Sequence, residues 1–175
     1  MPVLGWGVLI AGLLAGLIVL LLYRVLNQRD QVHKPHETIY GVGFKRALLI
    51  YQPSNRGGNR LAAQTLAKAL AQAGYTVTVN HPSRRLEYDP MGYDLLIFGG
   101  AAYLGGLARP LIEYASRLKY TGRRVLLYVT GDMERTPELA AFRLCVPAGN
   151  RVRSIKIRPR EGKKLAEFAT LKGAW

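Results

Sequence analysis

The sequence predicts an α/β protein: a doubly wound sheet of five parallel strands, preceded by one transmembrane helix. Three observations predict it. An uncharged apolar run of 21 residues, Val3 to Tyr23, opens the chain. After residue 45, short apolar or β-branched runs alternate with segments of helical spacing, and that alternation demands parallel pairing through crossover connections. The most apolar of these runs, such as Ala47-Leu48-Leu49-Ile50-Tyr51, suit strands covered on both faces.

The first run contains no Lys, Arg, Asp or Glu. As a helix it would be roughly 30 Å long, the thickness of one bilayer core. A secretory signal peptide is the competing reading. It wants a basic leading segment, a shorter apolar stretch and a small-residue cleavage site. No basic residue precedes Val3, and the run is followed by Arg24-Val25-Leu26-Asn27-Gln28-Arg29. A membrane anchor over residues 1–23 is therefore expected. Every Lys and Arg comes after it, so the positive-inside rule puts the C-terminal domain of a single-pass cell-membrane protein in the cytoplasm. Gly12 and Gly16 form Gly-x-x-x-Gly, a spacing that permits close packing against helices of membrane-protein partners.

Residues 24–45 are polar, with Pro35, Gly41 and Gly43, and read as a juxtamembrane linker. His33 and His36 fall there without a cysteine or carboxylate cluster, so a solvated pair and no metal site are expected. Residues 46–175 suffice for one ordinary domain. Its first strand, 47–51, leads into the loop Gln52 to Asn59. Arg60 to Ala73 carries Leu61, Thr65, Leu66, Ala69 and Leu70 at helical spacing, and Gly74 stands at the C-cap. Tyr75 to Val79 alternates as a second strand. Pro82, Pro90 and Gly92 make 81–92 a loop with at most one helical turn.

Asp94 to Phe98 is the third strand, ending in Gly99-Gly100, and a helix is expected over about 107–118. Arg123 to Val129 is the fourth strand, ended by Thr130-Gly131-Asp132. A short helix over 134–144 would start near Thr136-Pro137. Arg153 to Arg158 alternates apolar with basic residues, as an edge strand with one wet face does. Lys163 to Lys172 closes the chain as a helix, with Leu165, Phe168 and Ala169 inward.

In doubly wound sheets, ligands sit beyond the carboxyl ends of the strands where the strand order switches. The informative loops therefore follow strands one, three and four. The first, Ser54-Asn55-Arg56-Gly57-Gly58-Asn59, combines the free N–H groups of a helix start with two glycines, a pattern that suits a phosphate-sized anion. Ser54, Asn55 and Asn59 would add donors, and Arg56 a charge. It is not a P-loop, because no Gly-Lys-Ser/Thr follows, and it is not Gly-x-Gly-x-x-Gly. The second loop sets Tyr103 among Ala102, Gly105 and other small residues, where its ring would lie on a planar ligand. No acid–base pair or nucleophile stands out, so no catalytic residue is named.

The formal net charge is +14. For a tethered domain the nearest anion is the lipid surface, so anionic headgroups rank first as partners and an acidic protein or ligand second. Nucleic acid ranks last, because no basic motif with interleaved aromatics appears. A single cysteine, Cys145, forms no internal disulfide and fits a reducing compartment.

At these loops the chain resembles the flavodoxin family. Its members carry a strand, Ser/Thr-x-Thr-Gly-Asn-Thr and a helix; then Tyr-Asp, an apolar strand and Gly-Ser-Pro-x-Tyr-x-Gly; then Gly-Lys-Lys-Val, a strand and Thr-Gly. Here Gly58-Asn59 matches the first signature. Tyr93-Asp94 through Gly99, with Tyr103 and Gly105, matches the second. Gly122-Arg123-Arg124-Val125 through Thr130-Gly131 matches the third. The resemblance covers about residues 46–172. It implies a flavodoxin-like fold and FMN, with the phosphate on residues 54–59, the isoalloxazine against Tyr103, and residues 130–132 near the pyrimidine edge. Gly57 and Arg60 depart from the pattern, standing where threonines usually supply hydroxyls, and Gly100-Ala101 replaces Ser-Pro. Two functions follow. One is a membrane-anchored FMN protein passing electrons to or from a membrane partner or quinone, with Asp132 near the ring to tune its potential. The other is a non-catalytic subunit or scaffold that keeps the fold without the flavin.

Overall fold

The structure, a computed structural model, describes residues 3–55, 57–103, 105–132 and 137–171, with the backbone alone for residues 3–6 and Gln28. Helix α1 spans Val3–Asp30. It outruns the apolar run because nothing between Arg24 and Asp30 breaks a helix; the next proline is Pro35. Then follow β1 (Thr38–Tyr40), β2 (Lys45–Tyr51), α2 (Gly58–Gln72), β3 (Tyr75–Asn80), β4 (Leu95–Ala101), α3 (Arg109–Arg117), β5 (Arg124–Thr130), α4 (Pro137–Arg143), β6 (Arg151–Ile157) and α5 (Gly162–Thr170). A single 3-10 turn, Pro90–Gly92, sits in the 81–92 loop, with the Asp89 side chain accepting from the Met91 N–H. The expected start of α4 near Thr136 and the end of the last helix at Lys172 lie outside the described residues.

The six strands run in the order β1-β3-β2-β4-β5-β6. β2 to β6, the five expected strands, are parallel. The sixth strand is the departure. β1 lies in the stretch read as linker and pairs antiparallel with β3, Thr38 opposite Val79. Three residues give too short an alternation to be seen in sequence, and the pairing depends on Gly41 and Gly43. A Cβ on Gly43 would lie 2.0 Å from the Gly74 carbonyl oxygen.

Strand alternation feeds two cores. Leu49, Tyr51, Ile97 and Tyr128 face α2 and α5, meeting Ala62, Leu66, Leu70, Leu165 and Ala169. Leu48, Ile50, Phe98, Leu127 and Val129 face α3 and α4, meeting Leu111, Tyr114, Ala115 and Phe142. The central strands are thus buried on both sides, as their continuous apolar runs required. β6 is the edge strand expected, and its Arg153 guanidinium stacks 3.8 Å from the Phe168 ring centre, which leaves Phe168 half-buried.

Gly99 and Gly100 do not end the third parallel strand; they continue it to Ala101. A Cβ on Gly99 would lie 2.0 Å from the Tyr128 ring, and one on Gly100 would lie 2.8 Å from Leu111. These glycines admit a tyrosine ring and a helix, so their turn-like composition misleads a reading made from sequence.

α1 stands apart. Its 21-residue stretch Gly7–Asn27 has a mean hydropathy of 2.5 and none of its apolar window is buried. Among the described residues, its C-terminal end and the residue that follows it meet the domain. The Arg29 Nε donates to the Leu107 carbonyl at 3.1 Å, and the Gln31 carbonyl accepts from Gln52 Nε2 at 2.8 Å. Both contacts fall at the carboxyl edge of the sheet, beyond β4 and β2.

Candidate functional site

The switch point lies between β2 and β4, the strands from which the chain moves outward in opposite directions. Three loops and the end of α1 converge above it. The loop after β2 is braced from within. The Gln52 N–H donates to the Gly99 carbonyl at 2.9 Å and the Gly57 N–H to the Ser54 carbonyl at 2.9 Å. The buried Asn59 donates its Nδ2 to the Gln52 carbonyl, and Ser54 Oγ accepts from the Asn59 N–H at 3.4 Å. Ser54 and Asn59 therefore hold the loop's shape. Asn55 is exposed and lines a cavity of about 440 Å³ with Arg24, Asn27 and Gln31 of the anchor's end. Arg56 lies outside the described residues.

Gly57 takes φ 69°, in the left-handed region, and the space where a Cβ would stand is open. It caps α2 with no side-chain bond, and the first turn of α2 holds no acidic residue. A helix start that meets a neutral hydroxyl, Ser54 Oγ, and no carboxylate favours an anion. Gly58 has a packing role as well: a Cβ there would lie 2.6 Å from Pro159 Cβ, between β6 and α5.

The loop after β4 is a tight turn. Tyr103 and Gly106 exchange both backbone bonds, at 2.7 and 2.9 Å. Gly105, at its third position, has φ 81°, in the left-handed region that favours glycine. Tyr103 is half-buried and packs with Ala102 against the α3-side core. That burial pushes its hydroxyl pKa up. The Arg29 guanidinium lies over this turn, its Cζ 3.3 Å from where a Gly106 Cβ would be.

The loop after β5 lies against the same turn. The Ala102 N–H donates to the Thr130 carbonyl at 2.9 Å, and Gly131 donates to Ile157 at 3.0 Å. Gly131 is wedged between Ala102 and Lys156, whose ammonium pairs with the buried Glu138 at 3.3 Å. The Thr130 hydroxyl turns inward to the Gly100 carbonyl at 3.5 Å. Asp132 is exposed.

The loop after β3 was missed from the sequence, and it joins the site through the juxtamembrane segment. Asn80 Oδ1 accepts from the N–H groups of His36 and His81, at 2.7 and 2.8 Å. His81 Nδ1 lies 3.1 Å from the Lys34 carbonyl and Nε2 lies 3.2 Å from the Tyr51 hydroxyl. A carbonyl only accepts, so Nδ1 carries the proton and Nε2 accepts from Tyr51. His33 lies 5.9 Å and His36 lies 6.4 Å from the His81 ring. His33 is thus half-buried rather than solvated. Burial, then the nearby Arg60, holds its pKa below the ordinary value. Burial and the surrounding His33, His36 and Arg60 hold His81 low against the Lys34 carbonyl. The sequence signal was the run of polar residues at the end of an apolar strand, Asn80-His81. Among the described residues no group of three His, Cys, Asp or Glu is placed to hold a metal ion.

No family profile matches the chain, and no curated protein sequence matches it. Solved structures do. A short-chain flavodoxin associated with a PDU bacterial microcompartment aligns at TM-score 0.60 and 20% identity, covering 75% of this chain and 100% of the other. Oxidised flavodoxin 2 from Bacillus cereus aligns at TM-score 0.58 and 19% identity, covering 71% and 94%. A flavodoxin from Streptococcus pneumoniae TIGR4 aligns at TM-score 0.54 and 18% identity, again covering 71% and 94%. With the strand order β3-β2-β4-β5-β6 and five parallel strands, the domain that α1 precedes has the flavodoxin-like fold.

Proposed function

We propose that this chain is a membrane-anchored FMN protein that passes electrons to or from a membrane partner or quinone. The observation that carries this reading is the start of α2. Its leading residue, the left-handed Gly57, brings no side-chain cap, its first turn is free of acidic residues, and it opens onto the switch-point crevice of a flavodoxin-like sheet. The phosphate would sit on the N–H groups of residues 57–59, taking the place of the Ser54 oxygens to which Gly57 and Asn59 now donate, with Arg60 in the same turn. The half-buried Tyr103 would lie against the isoalloxazine, and the 130–132 backbone would border the pyrimidine edge. Bound FMN supplies the redox chemistry; the chain supplies position, exclusion of water and tuning.

Anchoring rests on α1. Eleven large apolar side chains between Val8 and Leu22 are each at least 45% exposed. Leaving them in water forfeits on the order of 10 kcal/mol of burial, as much as the whole net stability of a typical domain. A helix apolar on all sides, with no protein around it, suits lipid. The bonds from Arg29 and Gln31 to the domain favour a retained anchor over a cleaved leader.

One observation favours a second reading, a flavin-free scaffold. Arg29 of α1 and Gln31 just after it already bond to the loops on both sides of the crevice, and Ser54, Asn59 and Thr130 turn their polar groups inward. The full-length protein purified in detergent separates the two. Flavin absorption bands, or saturable quenching of FMN fluorescence on titration, are expected. A bare protein spectrum together with no saturation up to high micromolar FMN leaves the scaffold.

A further inference from the structure

A cavity of about 1060 Å³ opens beside the end of α1, between residues 30–35, residues 82–85 and the outer face of α3. It is separate from the switch-point crevice. Five cationic side chains and two carboxylates line it, an excess of three positive charges. Three of the cations are held by bonds. Arg117 donates to the carbonyls of Ser83, Arg84 and Leu86, which pins that loop. Arg84 and Arg109 converge on the Glu113 carboxylate, at 3.0 and 2.9 Å. Two guanidiniums aimed at one oxyanion form the geometry that holds a phosphate. Lys34 and Arg85 complete the rim, and among the described residues no carboxylate pairs with either.

The depth of this cavity is set by α1. The uncharged run ends at Tyr23, the candidate span ends at Asn27, and Asp30 already lines the cavity. Asp30 lies about 4.5 Å of helix past Asn27 and about 10.5 Å past Tyr23. The headgroup layer on each side of a bilayer is roughly 5–7 Å thick. If α1 spans the bilayer, the cavity opens at the outer edge of the headgroup layer.

We propose that this cavity is a binding site for the phosphate-bearing headgroup of one anionic phospholipid, seated between Lys34 and Arg85 and reached by Arg84 and Arg109. It rests on the anchored reading of α1 and is independent of the flavin. Glu113 acts as an internal competitor that keeps two arginines in register. This differs from attraction of a +14 protein to a charged surface, because it depends on position rather than on total charge.

The test is native mass spectrometry of the full-length protein in neutral detergent, offered equal phosphatidylglycerol and phosphatidylcholine. One phosphatidylglycerol is expected to bind in preference. Lys34→Gln with Arg85→Gln should lower its occupancy about tenfold, the scale of a lost charge-assisted contact. Lys68→Gln with Lys163→Gln removes the same charge from exposed sites on α2 and α5 and should change nothing. Glu113→Gln frees two guanidiniums and should raise occupancy. Equal loss in both double variants, or no preference between the lipids, overturns the site in favour of diffuse attraction. Displacement of the lipid by equimolar inorganic phosphate reassigns the cavity to a free anion and overturns the lipid assignment. Release of the protein from membranes by alkaline carbonate overturns the anchor on which the proposal stands, and does so without touching the flavin result.

Discussion

Adjacent glycines in the α2 loop do different work. At Gly57 the demand is conformational: φ 69° with open space around it. At Gly58 the demand is steric, from Pro159. Gly58→Val should therefore lower stability by about 1–3 kcal/mol through overpacking, whether or not flavin binds. Gly57→Asn should be nearly silent, because asparagine tolerates the left-handed region. Thermal unfolding in detergent checks both. Only the Gly57 position offers a clean probe of the crevice. Tyr103 is a second residue with two demands on it, since its ring packs on the core and would also face the flavin. Tyr103→Phe should preserve FMN affinity, and Tyr103→Ala should weaken it by about 1–3 kcal/mol, the scale of one lost stack. An unchanged affinity in the alanine variant, measured by fluorescence titration, would leave Tyr103 with packing alone.

Among the elements, the end of α1 and the segment after it have the largest consequence. They lie across the carboxyl edge of the sheet, tied by Arg29 to Leu107 and by Gln31 to Gln52. If that tie competes with FMN, Arg29→Ala should tighten FMN binding severalfold; weaker binding would mean that Arg29 instead helps hold the flavin. The segment over residues 31–36 is clasped by His81, with His33, His36, Arg60 and Tyr51 around it. His33 and His81 have folded-state pKa values below 6.5. The unfolded or detached segment therefore takes up protons first as pH falls. The stabilisation is complete above 6.5 and is lost as pH drops from 6.5 toward the depressed values. Amide-exchange protection factors over 31–36 should be high at neutral pH and fall as pH drops below 6.5. His81→Gln should remove most of that pH dependence.

For the whole molecule, the contacts of α1 orient the domain. The carboxyl edge, with all its loops, sits next to the anchor, and the loop with the exposed Val42 and Phe44 points the other way. A flavin in the crevice would lie close to the bilayer, as exchange with a membrane partner or quinone requires. Because every Lys and Arg follows the apolar run, the domain should be cytoplasmic. Protease added to intact cells should leave residues 46–175 uncut, and digestion from outside would reverse the topology.

Residue pattern alone determined the α/β class, all five parallel strands and the α2 loop. Continuous apolar runs and helical spacing are local records of burial, and Leu48-Leu49-Ile50 or Leu95-Leu96-Ile97 admit no other placement. The ends of elements were less legible. Gly99 and Gly100 read as a turn because the Tyr128 ring and Leu111 that require them lie far away in sequence. β1 was invisible because three residues carry almost no period, and only the edge of β3 recruits them. The site was half legible. Gly57, Tyr103 and Gly131 could be named from their strand ends, but whether Ser54, Asn59 and Thr130 point inward or outward depends on carbonyls that only folding brings near. That His33, His36 and His81 meet, and that Arg29 lies over Gly106, was decided by the tertiary structure alone. Hydropathy measures the partition of a helix into lipid and carries no information about where its polar end comes to rest.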